Sequence, residues 1–61
     1  MNGNIGQMAY VGDVWYQIMD KRQGENGESE YLLYTKDYWV PEHRIKDVRN
    51  KADFKKGTEV K

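Results

Sequence analysis

Side chains alternate in character from Val14 to Met19, with Val14, Tyr16 and Ile18 on one face of an extended chain and Trp15, Gln17 and Met19 on the other. A period of two marks a half-buried strand rather than a helix. Two further extended runs follow, Tyr31 to Thr35 and Tyr38 to Val40, both rich in aromatic and β-branched residues. Turn signals separate the runs. Gly12-Asp13 precedes the first, and Lys36-Asp37 divides the second from the third. Between the first two lies Asp20 to Glu30, a polar stretch holding Asn26-Gly27, the pair that best tolerates the positive φ angles of a tight hairpin. The spacing predicts a three-stranded meander with a mobile, acidic hairpin tip at Asp20 to Glu30. Residues 1–9, with two Gly and two Asn, read as a flexible N-terminus, so order is expected from near Tyr10.

Pro41 has no N–H to give to a sheet ladder, so the third strand should stop there and pass into a short helical turn through Glu42, His43 and Arg44. A last short strand, Ile45 to Val48, would then close the sheet and protect an edge. A competing pattern puts Ile45, Val48 and Ala52 on one face of a helix running to about Lys56 and stopped by Gly57. The division expected is a barrel over residues 10–48 and a charged C-terminal tail over 49–61.

The chain of 61 residues has room for one core and begins at Met1, so it is expected to be a complete one-domain protein. It contains no cysteine, so neither disulfides nor a thiolate metal cage can support that core. Aromatic residues must do so: two Trp, five Tyr and one Phe make 13% of the chain, and each large ring buries roughly 150–250 Å². Even a wholly apolar or aromatic stretch such as Tyr31-Leu32-Leu33-Tyr34 is too short for a signal peptide core or a membrane span. A cytoplasmic location is the expectation.

The run Trp39-Val40-Pro41-Glu42-His43-Arg44-Ile45-Lys46-Asp47-Val48 resembles the end of SH3 domains, where an apolar residue, Pro, a 3₁₀ turn, an apolar residue and a final strand succeed one another. Val40, Pro41, Ile45 and Val48 match the core pattern. Val11-Gly12-Asp13-Val14-Trp15-Tyr16-Gln17-Ile18 is similar to the opening strand of bacterial and phage SH3-like barrels. The resemblance covers about residues 10–48. It implies an all-β fold: a small SH3-like barrel of about five short strands with a 3₁₀ turn after Pro41 and a flexible or short helical C-terminal tail. One departure bears on function. Where proline-peptide-binding SH3 domains have a ligand-stacking Tyr at the end of the turn, this chain has Arg44, and their paired Trp in the middle strand is missing. Recognition of polyproline-type helices through a preformed aromatic groove is therefore not expected.

Ser29 is the only Ser and His43 the only His, so a Ser-His-acid site would need Ser29 to leave the hairpin tip and find an oriented base. Glu25, Glu28 and Glu30 read as solvated charges. His43 with Glu42 and Asp47 offers too few preferred zinc ligands. In the Asp20 to Glu30 loop, Arg22 and Gly24 occupy places where a calcium loop needs oxygen donors. Gly24 and Gly27 do not introduce a helix with a Lys-Ser/Thr pair, so no phosphate loop is present. No enzyme activity and no cofactor are expected.

Charge is distributed unevenly. Residues 1–43 carry three basic groups against seven acidic, and residues 44–61 seven basic against three acidic, leaving a neutral total. The leading expectation is a non-catalytic protein-binding module. Trp15, Tyr34, Tyr38 and Trp39 would supply exposed aromatic anchors, and Glu25 and Glu28 at the hairpin tip would tune recognition. Strand alternation turns both Trp15 and Trp39 outward if Val14 and Val40 face in. Size and composition also look like those of phage or prophage accessory proteins that modulate a bacterial host protein. The alternative is a nucleic-acid-binding barrel of the transcription or translation type, in which Arg44, Lys46, Arg49, Lys51, Lys55 and Lys56 meet phosphates beside a stacking aromatic.

Overall fold

The structure, a computed structural model, describes residues 3–53. Five strands form one antiparallel sheet: β1 (Met8–Val11), β2 (Val14–Gln23), β3 (Ser29–Leu33), β4 (Trp39–Pro41) and β5 (Asp47–Arg49). A 3₁₀ turn, Glu42–Arg44, joins β4 to β5. The order across the sheet is β4-β3-β2-β1-β5, a four-stranded meander whose fifth strand returns to pair with the first. The fold is therefore the small, all-β, barrel-like one expected, with the 3₁₀ turn where Pro41 places it. No helix among the described residues is long and apolar enough to cross a membrane.

Gly12 and Asp13 both have positive φ, 54° and 69°, as a two-residue type I′ hairpin requires. That turn sets Val11 opposite Val14, Tyr10 opposite Trp15 and Ala9 opposite Tyr16. The expectation that order begins near Tyr10 is thus corrected: Met8 and Ala9 belong to β1, and Ala9 is fully buried beneath the sheet. A hairpin turn this tight demands a strand on both sides, and composition alone hid the first one. Val14 was expected to face inward, yet it is exposed, because it is the first residue of β2, directly after the turn at the sheet's end.

β2 is longer than its alternating segment. Its pairing with β3 jumps from Ile18↔Leu33 to Asp20↔Leu32, leaving Met19 as an extra residue in a bulge. The bulge changes which residues face in. Before it Tyr16 and Ile18 point to the core; beyond it Lys21 lies opposite the buried Tyr31, while Asp20 and Arg22 share the outer face with Leu32 and Glu30. Without the extra residue, Asp20 and Arg22 would be driven inward. The Asp20 to Glu30 tip consequently shrinks to residues 24–28, with Gly27 at φ 86° in the turn.

The core consists of Ala9, Ile18, Tyr31, Leu33, Val40 and Ile45, with Val11, Tyr16 and Val48 packed against it. Tyr31 is 0% exposed, and its hydroxyl accepts a 3.0 Å hydrogen bond from the Gly3 N–H. Gly6 and Gln7 are tied to Ile18 through the Gly6 N–H to Ile18 carbonyl and the Ile18 N–H to Gln7 carbonyl bonds, 2.9 and 2.8 Å. Residues 3–7 thus close one end of the barrel.

The remaining strand limits also shift. β3 ends at Leu33 rather than Thr35, since Thr35 takes a left-handed φ of 75° to turn the chain. Ile45 caps the 3₁₀ turn, its N–H donating to the Glu42 carbonyl at 2.9 Å, so pairing with β1 starts only at the Lys46 N–H, 2.8 Å from the Tyr10 carbonyl. Val48 pairs with Ala9, which rules out the competing helix through Ile45 and Val48; helical structure begins only at 51–53, with Ala52 exposed.

Candidate functional site

Trp15 and Trp39 both lie on the outer face, as alternation predicts, but each is half-buried within its own aromatic and cationic cluster. The tight β1–β2 hairpin stacks Trp15 on Tyr10, ring centroids 4.8 Å apart and planes tilted by 38°. The Arg49 guanidinium lies 5.8 Å from the Trp15 ring and pairs with Asp47 at 3.2 Å. Tyr10 also donates to Asp13 at 3.3 Å; burial first, and then the Asp13 charge, push its phenol up from the usual value.

Trp39 is covered by the Arg22 guanidinium, 4.2 Å from the ring centroid, within cation–π range. Glu30 holds that guanidinium from the neighbouring strand at 2.7 Å. The bulge in β2 makes the pairing possible, because it turns Arg22 and Glu30 to the face that carries Trp39. Lys36 sits between two phenols, its Nζ 5.1 Å from the Tyr16 centroid and 5.9 Å from that of Tyr38. Hydrogen bonding to Tyr16, followed by the charges of Tyr16 and Tyr38, raises its pKa and keeps the ammonium charged.

Tyr34 and Tyr38 remain open, 61% and 55% exposed. Tyr38 stands at the mouth of a shallow groove of about 160 Å³ walled by Val11, Tyr38, Trp39, Val40, Pro41 and Arg44. The end of β1, all of β4 and the 3₁₀ turn build it together. Arg44 is its one charged wall residue among the described residues. Unlike Arg22 and Arg49, whose guanidinium groups are held by acids and rings, Arg44 has no ion pair, hydrogen bond or ring contact for its guanidinium among the described residues.

Glu25 lies exposed in the β2–β3 turn, as expected for a tip residue. Glu28 does not behave as a solvated charge. Its Oε2 accepts the His43 backbone N–H at 2.7 Å and lies 2.8 Å from His43 Nδ1, which must carry the proton in that contact. The backbone N–H is the chief cause of a carboxyl pKa below its ordinary value of 4.5, followed by the His43 ring. Glu28 therefore clasps the hairpin turn to the 3₁₀ turn beside the groove.

The basic residues are dispersed. Arg44 is on the 3₁₀ turn, Lys46 on the exposed linker, Arg49 on β5, and Lys51 donates to Gln17 at 3.2 Å. Lys55, Lys56 and Phe54 lie outside the described residues. Sequence reasoning missed Tyr10, Val11 and Arg22 as parts of these clusters. The Gly12-Asp13 turn held the signal for the first two, because a two-residue hairpin fixes which residues face each other; the bulge that turns Arg22 outward has no local signature.

Comparison with protein-family models, curated proteins and solved structures gave no match to this chain.

Proposed function

We propose that this protein is a non-catalytic protein-binding module that holds a segment of its partner in the groove between β1, β4 and the 3₁₀ turn. The observation that carries the reading is Tyr38, more than half exposed beside the half-buried Trp39 and Pro41 at a concavity that Val11, Val40 and Arg44 also line. Tyrosine and tryptophan are enriched where truncation most weakens protein complexes, since a rigid ring buries much surface at small entropic cost. A volume of about 160 Å³ suits one or two side chains of a partner, and falls below the roughly 300–1,000 Å³ typical of small-molecule sites. A role on a bacterial host protein rests on the sequence resemblance to SH3-like barrels alone.

Tyr38→Ala tests the reading, because an exposed ring can be removed without touching the core. Partner capture from nuclease-treated lysate, identified by mass spectrometry, should be lost with Y38A and with W39A. Recovery of the same proteins in equal yield by folded Y38A would refute it.

One observation favours a second reading, nucleic-acid binding. β5 brings Arg49 to the Tyr10–Trp15 pair, and Gln17 brings Lys51 to the same face, giving rings beside cations as single-strand binders use. Affinity for single-stranded DNA or RNA would then fall steeply from low to physiological salt, and no binding at low salt would dismiss it.

A further inference from the structure

Resting on the proposed groove as a protein-binding site, we infer that its partner presents an apolar side chain followed closely by an acidic one, which Arg44 engages as a carboxylate fork. The groove supplies the first half of the code. Val11, Val40 and Pro41 offer apolar contact, and Tyr38 and Trp39 offer ring faces and edges. Arg44 supplies the second half.

The three arginines differ in a way that points to a ligand. Arg22 is neutralised by Glu30 at 2.7 Å and lies on Trp39; Arg49 is neutralised by Asp47 at 3.2 Å and lies near Trp15. Each has one N–H, its Nε, on a carboxylate and its guanidinium over an indole within the fold. Arg44, exposed at the groove's edge, has neither an acid nor a ring against its guanidinium among the described residues. A guanidinium presents five donors in a fork that fits a carboxylate with two parallel bonds. As a wall residue of the groove, it selects for negative charge and against Lys or Arg, which it would repel. The nearest charge on the hairpin turn, Glu28, is already occupied by His43 and does not compete.

The turn holding Arg44 is fixed from three sides. Ile45 is buried just after it, Pro41 opens it, and the Glu28 carboxylate accepts the His43 N–H from the adjoining β2–β3 turn. With the backbone of the turn fixed, only the Arg44 side chain has to be ordered on contact.

The test is selection of a random 12-residue peptide library displayed on phage against the immobilised protein, with Y38A as a parallel bait. Enriched peptides, once synthesised, are measured by fluorescence polarisation. Expected are sequences with Asp or Glu within a few residues of an apolar anchor. R44Q should weaken them by about two- to fivefold, as loss of an exposed charge pair does, and R44E should shift selection toward Lys and Arg. Enrichment of basic or uncharged peptides, or full affinity in R44Q, overturns the acidic code while leaving the groove as a binding site. Absence of peptides that distinguish wild type from Y38A, or binding only to a fluorescent oligo-dT, overturns both.

Discussion

Removing the Tyr31 hydroxyl separates a closed barrel from a barrel with a loose leading segment. Tyr31→Phe keeps the ring that fills the core and deletes the acceptor of the Gly3 N–H, at 3.0 Å. The ring is wholly enclosed, so water cannot replace the bond in place. Loss of the bond costs roughly 0.5–1.5 kcal/mol, and a donor left buried roughly 1–3. Because residues 3–7 can swing toward solvent and rehydrate Gly3, the expected cost is about 1–2 kcal/mol. A chain of 61 residues has a total stability of roughly 3–9 kcal/mol, so the change is a large fraction of it. Each kcal/mol corresponds to about 4–8 °C in Tm at this size, giving a fall of about 5–15 °C. Thermal and urea unfolding followed by Trp fluorescence read the stability, and amide exchange at Gly6 and Gln7 reads the segment. The control is Tyr34→Phe, whose ring is open to solvent and which should change stability by no more than about 0.5 kcal/mol. If Y31F matches Y34F and the Gly6 and Gln7 amides keep their protection, the N-terminal closure is wrong.

Leu33→Ala removes a buried side chain next to Ile18 and should cost about 2–5 kcal/mol, comparable to the whole stability; a cooperative urea transition at an unchanged midpoint would contradict the core assignment. Thr35, a β-branched residue at φ 75°, holds backbone strain, so Thr35→Gly should stabilise by about 0.5–1 kcal/mol after the added chain entropy, read as a higher urea midpoint. Glu28 has a lower pKa folded than unfolded, so its clasp contributes fully above its ordinary value of 4.5 and is lost as pH falls through the lower folded value. The stability gap between wild type and Glu28→Gln should therefore be full above 4.5 and close as pH falls below it; a gap that widens in acid would reverse the assignment.

Much of the fold was legible because strands announce themselves locally. Alternation from Val14 to Ile18, Asn26-Gly27, and Pro41 followed by Ile45 each express a backbone constraint that acts within a few residues. The all-β class, the hairpin, the 3₁₀ turn and the outward placement of both indoles follow from them. The strand Met8–Val11 was missed because polar, glycine-rich neighbours hide it, and only the tight turn beside it demands its existence.

What the chain could not declare locally is pairing. The bulge at Met19 reverses the inward face of β2, and nothing in the side chains around it states that Leu32 will answer Asp20. From that register come the Arg22–Trp39–Glu30 cluster and the occupied state of one arginine. From the return of β5 to β1 comes the Arg49–Trp15 contact that occupies another. Sequence thus determined which rings and charges the protein owns and that they sit on strands. Tertiary structure decided which charges cancel one another and, among the described residues, left the Arg44 guanidinium at the groove with no acid or ring against it, because cancellation depends on distances between strands far apart in the chain.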